Sequence, residues 1–173
     1  HERLTPTERA KLCRRHSGYF LALSEESAPK LRGPDQKALL NQLEADHDNL
    51  RAVFDWTQAD GDRAEVALRL GGALYRFWEA HGHLIEGRRR LESALARDTR
   101  GRATQWRADA LRGASNILNR LGDYEASRAF LNESLAICRE IGDRQGVAGA
   151  LHNTANVALE EGSFGSARTL FEE

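Results

Sequence analysis

A forty-residue period runs through most of the chain and limits the folds that it can adopt. Gly82, Gly122 and Gly162 are spaced by this period, and each is followed two residues later by a bulky apolar residue. The further equivalent positions are Leu84, Tyr124 and Phe164; Gly87, Ser127 and Ala167; Leu91, Leu131 and Phe171; Leu95 and Leu135. A fixed period of this length is typical of a solenoid of stacked repeats.

Each period contains two helices. In the best-defined unit, apolar or small residues recur at threes and fours, which places them on one face of a helix. They are Tyr124, Ser127, Leu131, Leu135 and Cys138. Glycines also occur about every twenty residues, at positions 61, 82, 101, 122, 142 and 162. The predicted fold is therefore all-α, a right-handed α-solenoid of antiparallel helix pairs.

The units are predicted at residues 61–101, 102–142 and 143–173, with a helical pair over residues 1–60 leading into them. The last unit stops a few residues into its second helix, and no methionine occurs, so we expect a piece of a longer protein. At the front, Thr5-Pro6-Thr7-Glu8 predicts a capped helix start. A loop with two prolines follows at residues 28–35, and then a single long helix from about Gln36 to Gln58.

Composition argues against several classes of protein. The 25 basic and 26 acidic residues give a net charge of −1, whereas a dedicated nucleic-acid-binding domain is normally basic. Cys13 and Cys138 lack a partner motif, so we interpret them as small core residues in a reducing, cytoplasmic compartment. No apolar run reaches the roughly twenty residues that span a bilayer, and we expect no membrane partner.

The sequence also lacks the patterns of known catalytic and cofactor sites. It has no Gly-x-x-x-x-Gly-Lys-Ser/Thr phosphate loop and no Gly-x-Gly-x-x-Gly, so we expect neither an enzyme nor a cofactor in this segment. We expect no metal either. Asp46, His47 and Asp48 are consecutive helical residues that point about 100° apart. His81 and His83 flank a glycine with no third ligand visible nearby.

Polar residues of the first helices form the candidate binding site. In a solenoid these helices line the concave face. The non-packing positions on them are Arg69, Arg76, Arg112, Asn116, Asn119, His152 and Asn156. Asn116 and Asn156 are forty residues apart, and an amide both donates and accepts hydrogen bonds. These asparagines either contact a ligand or bond only within the array. Arg112 and His152 can add contacts to a carboxylate or phosphate.

The larger aromatic residues are predicted to belong to the core rather than to a ligand cage. They are Trp56, Trp78, Trp106, Tyr124, Phe164 and Phe171. On this interpretation, Tyr124→Ala empties a site between helices and costs about 3 kcal/mol.

The repeat resembles a known family. From about Ala64 onward, the order Leu-x-x-small-small-x-x-apolar, then Gly-Asp-Tyr, then small-x-x-x-Leu resembles the tetratricopeptide repeat in a forty-residue form. The sequence departs from the family at the usual aromatic opening position, which holds Gly71, Leu111 or Leu151. Asn116 and Asn156 resemble the asparagine with which many of these repeats hold a peptide backbone.

The front half resembles a narrower group. Residues 43–52 (Leu-Glu-Ala-Asp-His-Asp-Asn-Leu-Arg-Ala) and residues 77–91 look like the helical region of bacterial STAND-type, NB-ARC-like regulatory ATPases. The resemblance implies a sensor or interaction arm of a signalling ATPase that regulates transcription and whose nucleotide site lies outside this segment. The implied partners are a protein, a peptide or a small-molecule inducer, together with the ATPase module. The alternatives are a stand-alone scaffold that binds a peptide and, least favoured, nucleic-acid binding through arginine.

Overall fold

The computed structural model describes residues 5–58, 63–98 and 103–172, and every regular element in these ranges is a helix. The α-helices are α1 (Pro6–Ser27), α2 (Gln36–Ala45), α3 (His47–Gln58), α4 (Ala64–His81), α5 (Leu84–Arg97), α6 (Gln105–Arg120), α7 (Tyr124–Glu140), α8 (Arg144–Glu160) and α9 (Phe164–Glu172). A short 3-10 helix, Ala28–Arg32, lies between α1 and α2. The predicted all-α solenoid of helix pairs is confirmed.

The forty-residue period sets where the second helices begin. Helices α5, α7 and α9 start at positions 84, 124 and 164. Gly82, Gly122 and Gly162 precede them with φ of 78°, 78° and 76°, in the left-handed region where a side chain is costly. Gly142 ends α7 in the same way, with φ of 73°. The helix breaks predicted at Gly61 and Gly101 lie outside the described residues.

The turns close one helix and open the next with local hydrogen bonds. After three of the glycines, the next backbone N–H donates to a carbonyl oxygen five residues earlier, as in a Schellman motif. These bonds join Asp123 N to Leu118 O (2.9 Å), Asp143 N to Cys138 O (2.9 Å) and Ser163 N to Ala158 O (2.8 Å). The carboxylate of Asp143 then accepts the N–H of Gly146 at 2.9 Å and caps α8. At the front, Thr5 and Glu8 form the predicted cap of α1.

The core lies between neighbouring helix pairs. Helix α6 packs against α4, α5, α7 and α8, and the repeated leucines Leu91 and Leu131 are 0% and 1% exposed. The small repeat position is buried at Ser127 and Ala167 as well. At Gly87 a Cβ would lie 2.7 Å from atoms of Trp78 and Ile117, so α5 approaches its neighbours too closely for a side chain.

The single long helix predicted for residues 36–58 is wrong. Asp46 has φ −96° and ψ 7°, and its N–H donates to carbonyl oxygens of both Gln42 and Glu44, which ends α2. Helix α3 then begins at His47. Aspartate is unfavourable inside a helix, because its side chain hydrogen-bonds to nearby backbone groups in non-helical conformations. Here the polar residues 46–48 divide the predicted helix into two. The predicted loop at residues 28–35 contains the 3-10 helix, which buries Leu31.

Several aromatic residues that are predicted to belong to the core are exposed. Trp78 is 1% exposed, but Trp106, Phe164 and Phe171 are 38%, 71% and 46% exposed. Trp56 and Tyr124 are half-buried. Because Tyr124 is half-buried and lines a surface cavity, we expect Tyr124→Ala to cost less than about 3 kcal/mol.

Candidate binding groove

Three adjoining cavities follow the face formed by α4, α6, α8 and the 3-10 helix, and we call this surface the groove. Their volumes are about 660, 530 and 610 Å³. Among their lining residues are all seven predicted positions: Arg69, Arg76, Arg112, Asn116, Asn119, His152 and Asn156. The structure therefore places the predicted residues on one surface, and their role in binding stays a prediction.

Arg76 connects the three cavities, because its side chain lines each of them. Its guanidinium lies 5.0 Å from the ring centroid of Tyr75. Arg32, from the 3-10 helix, lines two of the cavities beside it. Neither arginine has a carboxylate within ion-pair distance in the described parts of the chain. Two positive charges, the exposed Arg32 and the half-buried Arg76, are thus available to an anionic group.

Two other arginines of the predicted site, Arg69 and Arg112, already bind carboxylates of the chain. Arg69 Nε lies 2.7 Å from Glu25 Oε1 and Nη2 lies 2.9 Å from Oε2, a bidentate pair that ties α4 to α1. The same guanidinium covers the ring of Trp106 at 4.7 Å. Hydrogen bonding to Glu25 raises the pKa of Arg69. Arg112 donates to Asp109, one turn earlier on α6. These two arginines therefore have a structural role that repeat register alone does not reveal.

The three asparagines differ in how much hydrogen-bonding capacity remains. Asn116 Nδ2 donates to the backbone oxygen of Arg112 at 3.1 Å, so part of this amide bonds within the array. Asn119 Oδ1 is buried and has no hydrogen-bond partner. Asn156 lines the groove half-buried, and no described residue bonds its amide. Asn156 is consequently the amide with the most hydrogen-bonding capacity left for a ligand.

His152 is exposed at the far end of the groove. Its ring stands edge-on to Phe171, with centroids 5.4 Å apart. It also lines a separate cavity of about 650 Å³ between α8 and α9, whose other lining residues were not predicted. His152 and Arg112, which are both predicted to contact a carboxylate or phosphate, line the same 610 Å³ cavity.

Sequence reasoning missed Arg32 and Glu79 in the groove. Burial raises the pKa of Glu79, and Arg120 opposes that shift from 3.9 Å. Glu79 lies forty residues before Asn119, so the repeat register contained a signal for it. Arg32 had no such signal, because it comes from the non-repeating front of the chain.

A second polar cluster joins the front helices to the first repeat pair. Arg51 of α3 binds Glu86 of α5 in a fork, with Nε–Oε1 at 2.9 Å and Nη2–Oε2 at 2.7 Å. Hydrogen bonding to Arg51 lowers the pKa of Glu86. Four residues further along each helix, Arg90 Nη1 donates to Asp55 Oδ1 at 2.6 Å. The two sequence motifs of the front half thus meet in space.

Two further features bear on the type of protein. Cys13 and Cys138 are free thiols, and burial raises the pKa of Cys138, which keeps it in the unreactive thiol form. Within the described ranges, none of the helices has the length and apolar character needed to cross a bilayer.

Comparison with known proteins supports the repeat. Residues 106–173 match the tetratricopeptide repeat family. The chain is also 30% identical over 170 aligned residues to proteins named "Putative HTH-type transcriptional regulator" from Mycobacterium bovis and Mycobacterium tuberculosis. The match covers 87% of this chain but only 18% of those proteins. This chain therefore spans about a fifth of the length of the curated relatives it matches.

Proposed function

We propose that this chain is the sensor and protein-interaction arm of a multidomain signalling ATPase that regulates transcription. Tetratricopeptide repeats are protein-interaction repeats, and three features support the wider proposal. They are the match over residues 106–173, the name of the relatives, and the front-half motifs that resemble STAND-type ATPases. In this role the arm has no catalytic residue of its own.

The groove supplies the binding site in this proposal. The observation that carries it is the pair Arg32 and Arg76, which have no carboxylate partner among the described residues, beside the amide of Asn156, which no described residue bonds. A peptide fits this arrangement if its backbone bonds to the amides while an acidic side chain or terminal carboxylate lies between the arginines. A small anionic inducer would use the same arginines and fewer of the amides.

A selection for ligands tests the groove. Peptides from a random display library are selected on the immobilised chain, and the strongest is labelled for fluorescence anisotropy. We expect Arg76→Ala and the double variant Asn116→Ala/Asn156→Ala each to weaken binding at least tenfold. Asn132→Ala, an exposed asparagine on α7, is the matched control and should leave affinity unchanged. Equal affinity in all variants would place the peptide outside the groove.

The ATPase context needs a separate test. We expect the reading frame upstream of this segment to encode a phosphate loop followed by a winged-helix pattern. If both are present, ATP hydrolysis by the full-length protein is measured with and without the selected peptide. A change in the rate would support the arm, and a frame without a phosphate loop would favour the alternative of a stand-alone scaffold that binds a peptide.

A further inference from the structure

Three helix ends bring histidine and glutamate side chains together on the side of the first repeat pair that faces α2 and α3. Glu44 comes from the end of α2, His47 from the start of α3, and His83 from the residue that precedes α5. One ligand atom from each lies within 4.8 Å of the other two. Glu44 Oε2 is 2.9 Å from His83 Nε2 and 3.5 Å from His81 Nδ1. We call these four residues the histidine cluster.

The chain folds in two special ways to make this cluster. The break at Asp46 ends α2, so Glu44 and His47 lie on either side of a helix junction rather than within one helix. The left-handed backbone of Gly82 reverses the chain between His81 and His83, and their rings stack with a 9° angle between planes. Both histidines thereby reach Glu44, although each comes from a different helix end.

His47 is the most informative member. It is only 7% exposed, yet no described residue forms a hydrogen bond with its Nε2. Glu86 Oε2 lies 3.3 Å from this nitrogen without forming a hydrogen bond, and that carboxylate is bound by Arg51. A buried polar atom without a hydrogen-bond partner destabilises the fold.

His83 shows a second departure from the rest of the array. It occupies the residue before α5, and at the equivalent position before α7 Asp123 caps the helix through its side chain. His83 makes no such cap bond and contacts Glu44 instead. The position has therefore exchanged a local helix cap for a contact within the histidine cluster.

We propose that Glu44, His47 and His83 form a zinc site, with His81 as a fourth ligand, that joins α2 and α3 to the α4–α5 pair. Imidazole and carboxylate are ordinary ligands of Zn²⁺, whereas Ca²⁺ and Mg²⁺ prefer oxygen ligands alone. Bonds of about 2.0–2.1 Å in a tetrahedral site put ligand atoms about 3.3 Å apart. Small rotations of these side chains, all at helix ends, bring 4.8 Å down to that spacing.

Metal titration of the chain tests the site. His1 is first replaced by serine, so that this histidine adds no ligand, and the protein is stripped of metal with a chelator. Co²⁺ is then added as a spectroscopic probe, and Zn²⁺ affinity is measured by competition with a coloured chelator. We expect one equivalent to bind, with the visible absorption of four-coordinate Co²⁺, and Zn²⁺ to raise the melting temperature.

Variants assign the ligands. His83→Ala and Glu44→Gln change part-exposed side chains, so we expect both to fold, with affinity for Zn²⁺ reduced at least tenfold and no thermal shift on adding the metal. His16→Ala, a histidine on α1, is the matched control and should bind as the parent does. If circular dichroism shows that His83→Ala does not fold, the Zn²⁺ affinity of Glu44→Gln decides whether the cluster binds the metal. An absence of binding in the parent, or full affinity in Glu44→Gln, would overturn the proposal and leave a hydrogen-bonded cluster without metal.

Discussion

Helices α5 and α7 occupy the same place in successive repeats but use it differently. Both bury a leucine at the same position, Leu91 and Leu131. On the neighbouring positions, α5 carries Glu86 and Arg90, whereas the residues forty positions later on α7 are Ala126 and Phe130. On α3, Arg51 donates hydrogen bonds to Glu86, and Asp55 accepts one from Arg90.

The difference shows how a repeat adapts to its neighbour. The inner face is fixed by packing within the array and buries a leucine at the same position in both helices. The outer face of α5 meets α3, a helix outside the repeat, through charged groups. Recognition of the front helices therefore depends on residues that break the repeat pattern, while the pattern itself maintains the core.

The largest expected effect tests whether the two inner faces are equivalent. Leu91→Ala and Leu131→Ala should each lower the free energy of unfolding by about 2–5 kcal/mol, because both create a cavity in a fully buried site. Urea denaturation measures the loss. Ile85→Ala, at a position that is 71% exposed, is the control and should change stability by no more than about 0.5 kcal/mol. A large loss of stability for only one of the two leucine variants would mean that the inner faces of α5 and α7 are not equivalent.

The second prediction concerns the charged outer face of α5. Asp55→Ala should cost about 2 kcal/mol, because it leaves the guanidinium of Arg90, whose side chain is 8% exposed, without its nearest carboxylate. Asp48→Ala removes a 94% exposed partner of Arg51 and should cost under about 0.5 kcal/mol.

Arg90→Leu extends this test, since it imitates the apolar Phe130 of α7. Combined with Asp55→Ala, it should restore part of the lost stability, because an apolar side chain needs no buried partner. Equal losses for Asp55→Ala and Asp48→Ala in urea melts would show that the Asp55 pair is not structurally important.

The third prediction concerns the small position that α5 and α7 share. Gly87→Ala should destabilise the chain by about 1–3 kcal/mol, because the new Cβ would lie 2.7 Å from the ring of Trp78. Gly18→Ala, in α1 with no atom within 4 Å of its Cβ, should instead stabilise by about 0.5–1 kcal/mol. Differential scanning calorimetry would distinguish the opposite signs, and a stabilised Gly87→Ala would contradict the close approach of α4 and α5.

The smallest expected effect concerns the residues that precede helices α8 and α5. Asp143→Ala should cost about 1 kcal/mol by removing the cap of α8. The N–H of Gly146 lowers the pKa of Asp143 below 3.8, so the cap stabilises fully above pH 3.8 and is lost as pH falls through the lower folded-state value.

His83→Ala in the metal-free chain is the comparison for that cap. His83 makes no cap bond, so its replacement should cost less than Asp143→Ala at pH 7. Thermal melts between pH 7 and pH 3 measure both. A cost for Asp143→Ala that stays constant down to pH 3 would show that the carboxylate is not the capping group.

The repeat half of the fold could be predicted because its determinants are local. Glycine turns, Asp143 as a helix cap and the leucine spacing all act within about one helix pair, so they can be recognised in the linear sequence. The same register located the groove residues and could have located Glu79. It did not distinguish Arg76, which has no carboxylate partner within the described residues, from Arg69, because Glu25 comes from a helix outside the period.

By itself, the sequence determined the helix pairs, their turns and the face on which the groove lies, because these follow from a 3.6-residue periodicity and a forty-residue repeat. Only the tertiary structure decided which polar side chains are paired and which are free, as with Arg69 and Arg76. It also decided that Glu44, His47 and His83 meet. Arg69 and Glu25 are 44 positions apart, and Glu44 and His83 are 39 apart. No local pattern specifies which distant side chains will face each other.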